Sequence, residues 1–278
     1  MSKILAIDLD GTLFYPKKRI KMIPKNNLEF LHEFIDSGNK VVLCTGRSVD
    51  YIEKVKRKIN REIDAIGCNS AFIITNNKLI AEKLLDNQII SKLVDELEAR
   101  FQIRCWMMIS YDHSLVIAGN LNIFLKNMYK LIYWSYGTYA ERYVISNEVF
   151  RNELKHGKVY KLMMFFGLSN KRRQMACEAN EYIRKNYANK IESSWADACV
   201  ELTAVGVSKS NGLLSYLEYN HISHQDVYVV GDSGNDISMF NSFNEHSFCM
   251  KHSSSKVKKF AKYEIKHVAD IKKYLKEN

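Results

Sequence analysis

Only two prolines and 12 glycines occur in 278 residues, so each glycine that does appear points to a tight turn or a close backbone approach. No stretch reaches the roughly 20 consecutive apolar residues that a membrane helix requires, which excludes a spanning segment. The six cysteines, Cys44, Cys68, Cys105, Cys177, Cys199 and Cys249, are scattered without a CxxC pair. Neither a zinc site nor a disulfide framework is therefore expected, and a reducing cytoplasm fits best. Internal repeats, low-complexity tracts and Pro- or Ser-rich linkers are also absent. The opening MSKILAIDLDGT has a short apolar run broken by aspartates, which reads as a buried strand and not as a secretory leader. What is present is ordinary for a globular chain of one large or two moderate domains: 46% apolar and 26% charged residues. The formal net charge of +10 is compatible with nucleic acid, membrane surfaces or anionic small molecules and does not choose among them. Its densest basic run, Lys54, Lys56, Arg57, Lys58 and Arg61, lies on an amphipathic helix and reads as a solvated face or a nucleic-acid footprint.

Short β-branched runs alternate with helical patterns at both ends of the chain. A strand Ile4–Ile7, a helix from about Pro24 to Ser37, a strand Val41–Cys44, a helix Val49–Ile59 and a strand near Ile63–Gly67 open it. A hairpin follows across Asn76 and Asn77, whose tolerance of left-handed backbone suits a tight turn. The rhythm returns with a helix Lys209–Tyr219, a strand Val227–Val230, a short helix from Asp236, a strand near Phe248 and a terminal helix. Alternation of this kind predicts a parallel sheet with covering helices. Between the two ends the pattern changes to helices near Gln88–Phe101, Asn122–Tyr133 and Lys171–Asn186, interleaved with strands near Ile103–Ile109, Arg142–Ile145, Lys158–Phe166 and Ala198–Leu202. The expected fold class is thus α/β: a Rossmann-like parallel-sheet core from residues 1–84 and 201–278, with an α+β domain, 85–200, inserted into it. On the insert, Tyr129, Tyr133, Trp134, Tyr136 and Tyr139 concentrate aromatic rings, suited to internal packing or to a ring-bearing ligand.

Four segments carry chemistry. In Asp8-Leu9-Asp10-Gly11-Thr12-Leu13, strand alternation points both carboxylates the same way at the end of a strand. Two carboxylates there repel unless a cation or a shared proton intervenes, which is the case for a bound Mg²⁺; alone, the segment is also compatible with a plain turn. Cys44-Thr45-Gly46-Arg47 ends a second strand with a hydroxyl, a glycine and a guanidinium, groups suited to phosphate oxygens, although Thr45 also serves as a helix cap. Ser208-Lys209-Ser210 places a lysine at a helix start, either exposed or meeting an anion there. Gly231-Asp232-Ser233-Gly234-Asn235-Asp236 runs from an apolar strand into a turn with oxygen ligands for a hard cation.

In this order, these segments resemble the four motifs of the haloacid dehalogenase superfamily, and most closely its Cof-like branch of small-molecule phosphatases. Ile66-Gly67-Cys68-Asn69-Ser70-Ala71 resembles that branch's Asn-Gly-Ala segment, and Asp232 through Met239 follow its fourth-motif stretch. The resemblance spans nearly the whole chain, with the insert in the place of the family's cap domain. It implies that Asp8 is a nucleophile phosphorylated in transit and that Asp10 is the general acid and base. Thr45, Gly46, Lys209 and Asn235 would bind phosphate, and Asp8, Asp10, Asp232 and Asp236 would hold Mg²⁺. Arg47 and Asn69 are implied substrate contacts. The implied partner is a small phosphorylated metabolite, a sugar phosphate favoured, with no membrane and no nucleic acid. A catalytically silent ligand- or nucleic-acid-binding relative and a sugar phosphomutase are the rival readings, and nothing in the sequence sets an oligomeric state. Ser70 and Ser210 stand where the family has glycine, which puts the local turns and phosphate access in question.

Overall fold

The computed structural model describes residues 2–16, 23–119 and 142–275. In chain order its strands are β1 (Ile4–Ile7), β2 (Lys40–Cys44), β3 (Asp64–Gly67), β4 (Phe72–Thr75), β5 (Lys78–Glu82), β6 (Cys105–Ser110), β7 (Val116–Ala118), β8 (Val144–Ile145), β9 (Val159–Phe165), β10 (Glu192–Ala196), β11 (Cys199–Thr203), β12 (Val227–Gly231), β13 (Ser247–Met250) and β14 (Tyr263–Ile265). The described α-helices are α1 (Lys25–Asp36), α2 (Val49–Ile59), α3 (Asn87–Arg100), α4 (Asn147–His156), α5 (Asn170–Tyr187), α6 (Lys209–Tyr219), α7 (Ile237–Ser242) and α8 (Ser255–Lys258). The helix and aromatic cluster expected between Asn122 and Tyr139 lie outside the described residues.

Two compact units emerge from the chain's own contacts, one from residues 1–47, 52–82 and 208–278 and the other from 48–51 and 83–207. The first is an eight-stranded sheet in the order β14-β13-β12-β1-β2-β3-β4-β5. Its first six members run parallel, and β4 and β5 turn antiparallel at one edge. β1, β2 and β12 are buried along their apolar runs, as parallel strands covered on both faces must be. β1 lies between β2 and β12, so the strand order departs in opposite directions from it. The crevice beyond the carboxyl ends at such a point is where open α/β sheets bind ligands. Local chemistry shapes the edges: Gly38 at φ 84 closes α1, and Asn76 and Asn77 at φ 49 and 59 form the β4–β5 turn.

α6 deserves its place by how it is held. Buried Asp64 on β3 accepts from the Tyr216 hydroxyl at 2.7 Å, from Thr75 Oγ1 at 2.9 Å and from the Asn76 amide at 2.9 Å. At the other end of the helix, the Ser70 hydroxyl accepts the Ser208 amide at 3.0 Å. Ser70 itself sits at φ +99, where glycine would be easier, and the space for its side chain comes from Gly212: a Cβ there would stand 2.4 Å from Ser70 Cβ and 2.7 Å from Ile66 Cγ2. Ser210 also finds a partner, in Ser242 of α7 at 2.6 Å. Ser70 and Ser210 are thus accommodated by hydrogen bonds, and Ser70 also by the glycine on the facing helix.

The second unit is a six-stranded mixed sheet, β10-β11-β9-β6-β7-β8. Alternation divides its side chains: Trp106, Met108, Leu162, Met164, Val200 and Leu202 form a core with apolar residues of α3, α4 and α5, whereas Cys105, Met107, Met163 and Phe165 cluster separately. β11 belongs to this sheet, so residues 201–203 do not join the core segment with which the sequence reading grouped them. α4, β7, β10 and β14 also escaped that reading, and the expected terminal helix is a 3₁₀ segment, Val268–Lys273. β7 and β14, of three residues each, carry too little alternation to register, β10 is a mostly polar and exposed ESSWA, and α4 has few apolar positions in a charged stretch. The basic run on α2 is not one solvated face: Lys56 is buried against Asn77 and Glu53, and Arg61 pairs with Asp36.

Because Gly212 faces Ser70 across so short a gap, Gly212→Ala is expected to lower stability by about 1–3 kcal/mol, the usual cost of overpacking. Ser70→Gly added to it should recover part of the loss. Urea midpoints of the three variants check this; an unperturbed Gly212→Ala would contradict the packing described.

Candidate active site

At Asp8 the chain leaves β1 after one last sheet bond, from the Asp8 amide to Val230 O at 3.0 Å. It then winds through a tight turn, Leu9–Leu13, in which Gly11 adopts φ 81. That glycine is required by what stands opposite. A Cβ on it would come within 2.4 Å of Asp232 Oδ2, and Thr12 Oγ1 donates to Asp232 Oδ1 at 3.1 Å. Gly231, at the end of β12, leaves room in the same way for Asp236. Asp236 is fully buried, and its Oδ2 accepts the amides of Asp232 and Ser233 at 2.9 Å each, so it braces the turn that carries Asp232.

Lys209, only 1% exposed, joins these two ends of the chain. Its Nζ lies 2.6 Å from Asp8 Oδ1 and 2.6 Å from Asp236 Oδ1. The alternative of a surface lysine is thereby excluded, and the unfavourable position of a cation at a helix start is offset by two carboxylates in direct contact. Burial by itself lowers the Lys209 ammonium, but both carboxylates pull the other way and the net direction is upward. Burial pushes the Asp8 carboxyl up to about 8; Lys209 opposes the shift and Asp236 adds to it. The shift stays upward because the desolvation of the buried carboxyl outweighs the attraction of Lys209. Asp232 is raised as well, by burial and then by Asp236. Cys44, beneath the same crevice, has its thiol pushed up to about 12 by burial and behaves as a small hydrophobe, not a nucleophile.

Asp8, Asp232 and Asp236 each place an oxygen within 4.8 Å of the others. Asp10 does not join them. The turn that begins at Leu9 ends strand alternation, so Asp10 does not follow Asp8 into the cluster, and its carboxylate is taken by Arg47: Nε to Oδ2 at 2.8 Å and Nη2 to Oδ1 at 3.0 Å. The expectation that Asp8 and Asp10 share one orientation and both offer side chains to a cation is corrected accordingly. Thr45 is completely buried at the end of β2, its hydroxyl accepting the Arg47 amide at 3.3 Å. Asn69 sits beside Gly46, where a Cβ would lie 3.3 Å from Asn69 Oδ1, and that oxygen accepts Asn235 Nδ2 at 3.1 Å. The predicted site residues thus lie around the ends of β1, β2, β3 and β12, Asp10 being joined to them through Arg47 and not through the acidic cluster. Three neighbours were not anticipated: Thr12 and Gly11, which the motif contains and which could have been read as supports, and His252, whose Nε2 lies 3.7 Å from Asp232 Oδ2 while its ring stacks on Tyr15 at 3.9 Å. An isolated histidine 20 residues after Asp232 carried no signal.

The haloacid dehalogenase-like hydrolase family model matches residues 5–273, and the chain belongs to that family. It is 26% identical over 250 residues to the 5-amino-6-(5-phospho-D-ribitylamino)uracil phosphatase YwtE of Bacillus subtilis, covering 86% of this chain and 84% of that one. It is 24% identical over 246 residues to the pyridoxal phosphate phosphatase YbhA of Escherichia coli, with 86% and 84% covered. A haloacid dehalogenase-like hydrolase from Bacteroides thetaiotaomicron shares the fold at a TM-score of 0.80 and 20% identity, over 99% of this chain and 100% of that one. A sugar phosphatase of haloacid dehalogenase subclass IIB does so at 0.74 and 20%, over 99% of both. The fold is accordingly the family's parallel-sheet core with an inserted cap domain. Among the described residues no helix is long and apolar enough to cross a membrane.

Lys209→Met is expected to cost about 3–5 kcal/mol at neutral pH, since it leaves Asp8 and Asp236 buried without their counter-charge. The sign of the pH dependence follows. The Asp8 carboxyl, raised to about 8, is destabilising when ionised, so the loss is largest above that pKa and shrinks as pH falls and Asp8 takes up its proton. Denaturant midpoints at pH 9 and pH 6 check this; an equal loss at both would contradict it.

Proposed function

We propose that this haloacid dehalogenase-like hydrolase is a phosphatase acting on small phosphorylated metabolites, sugar phosphates favoured, through a phosphorylated Asp8. The observation that carries the reading is Lys209 Nζ at 2.6 Å from both Asp8 and Asp236, in a crevice where Asp232 completes the acidic cluster. That its relatives are named as phosphatases supports the same chemistry.

The donor set fits a hard divalent cation: three carboxylates with oxygens within 4.8 Å of one another, Asp8 and Asp232 both raised by burial and by neighbouring acid. Asp8, Asp232 and Asp236 would hold Mg²⁺, which would supply charge neutralisation for a phosphoryl group. Asp236 would contribute least, because its Oδ2 is committed to backbone amides. The remaining work belongs to the chain. Lys209 keeps the Asp8 carboxylate in one orientation and meets phosphoryl oxygens with the Thr45 hydroxyl, the Gly46 backbone and the Asn235 amide, groups fixed before substrate arrives. An Asp8 oxygen attacks phosphorus, the bond to the ester oxygen breaks, and the departing oxygen takes a proton from Asp10. Water then attacks the acyl phosphate, its proton goes to Asp10, and the bond between phosphorus and Asp8 breaks to release phosphate. Arg47 and Asn69 would touch the substrate, and the inserted domain would choose the leaving group.

Asp8→Asn is expected to reduce phosphate release to background while leaving the fold intact. The assay uses a panel of sugar phosphates, nucleotides, FMN and pyridoxal phosphate with Mg²⁺, and a wild-type protein inert toward the whole panel would overturn the reading. Independently of turnover, Mg²⁺ added to EDTA-treated protein should raise the melting temperature by stabilising the bound state. Asp232→Asn should abolish that rise; an undiminished shift in this variant would place the cation elsewhere.

A further inference from the structure

We propose that Arg47 is an oxyanion-operated latch on Asp10: in the resting enzyme its guanidinium fork holds the Asp10 carboxylate outside the acidic cluster, and a phosphate group releases Asp10 by taking that fork. The inference rests on the phosphatase reading and adds to it the coupling between substrate binding and the acid.

Asp10 is the one predicted acid that does not converge with the others, and it is held by two parallel bonds of 2.8 and 3.0 Å, not by a loose surface pairing. A guanidinium presents this fork equally well to a carboxylate and to two oxygens of a phosphate, so the two anions compete for one donor pair. The exchange needs no loop movement. The Arg47 backbone is pinned on both sides: its amide donates to Thr45 Oγ1 at 3.3 Å and its carbonyl accepts the Cys68 amide at 3.1 Å. Cys68, Asn69 and Ser70 are three successive non-glycine residues at positive φ, 46, 60 and 99, a conformation that persists only where surrounding bonds enforce it. Rotation of the Arg47 side chain is then the movable part. The pair is also weak enough to open, with side chains 33% and 51% exposed, where solvent screens the attraction. By contrast, Asp8 and Lys209, fully enclosed, offer no such exchange without breaking the site.

Competition has a signature that neither a passive ion pair nor simple charge repulsion shares. Binding of inorganic phosphate is measured by calorimetry at constant saturating Mg²⁺ for wild type, Asp10→Ala, the near-isosteric Asp10→Asn, Arg47→Met and the Asp10→Ala/Arg47→Met double variant. Removing Asp10 should tighten phosphate binding by about twofold to fivefold, the range that opening an exposed pair allows. Arg47→Met should weaken it, and in that background Asp10→Ala should add nothing. Unchanged affinity in both Asp10 variants overturns the latch. So does a gain of the same size with and without Arg47, which is repulsion through space. Wild type that binds no phosphate at all also ends it, whereas phosphate release from esters, measured separately, would leave the phosphatase reading standing.

Discussion

A single buried ammonium underlies the arrangement of this crevice. Lys209 brings a charge from the start of a late helix into contact with Asp8 near the N-terminus and with Asp236. Without it, the fold would confine two carboxylates in a space closed to water, which is among the more costly things a protein can do. The cation itself has no alternative partner in solvent, being almost wholly enclosed. The consequence is mutual: the acids make the buried lysine tolerable, and the lysine makes the acids tolerable.

Holding that ammonium in place falls to the packing of α6, and there small residues matter more than large ones. Gly212 yields the volume that Ser70 occupies, and Ser70 in turn ties the helix start to the β3–β4 turn. Tyr216 fastens the same helix to Asp64 two turns later. Gly11 and Gly231 do for Asp232 and Asp236 what Gly212 does for Ser70, letting a functional or supporting side chain lie against backbone. With so few glycines in the chain, their concentration at these approaches is itself a structural statement. It also explains how two serines in glycine positions are accommodated: each gained a hydrogen-bond partner, at Ser208 and at Ser242.

Electrostatically, the crevice separates into an enclosed part and an open part. Inside, Asp8, Asp236 and Lys209 are dry and mutually fixed; Asp232 stands at the boundary, supported by Thr12 and beside His252. Outside, Asp10 and Arg47 pair where water reaches them. Interactions in the first group are strong and permanent because the surroundings are of low dielectric, and those in the second are weak and exchangeable for the opposite reason.

The parallel core was legible in the sequence because buried strands announce themselves as apolar runs: Ile4–Ile7, Val41–Cys44 and Val227–Val230 run into acids, a hydroxyl and a guanidinium. Helix α6 was equally plain from Ser208 and the periodicity that follows it. β7, β14 and α4 were not, since three residues cannot establish a period and α4 has few apolar positions among charged ones, and the second junction, drawn between residues 200 and 201, falls inside β11, a strand that pairs with β9. By itself the sequence determined the residue types, the strand ends that deliver Asp8, Thr45 and Asp232 to one edge of a sheet, and the helix start that carries Lys209, because strand runs and helix caps are local geometry. Only the tertiary structure decided that Lys209 is buried, that Asp10 belongs to Arg47 and not to the acidic cluster, and that Ser70 braces the helix. Those outcomes depend on distances between segments far apart in the chain and on which groups are shut away from water, and neither is written in local spacing.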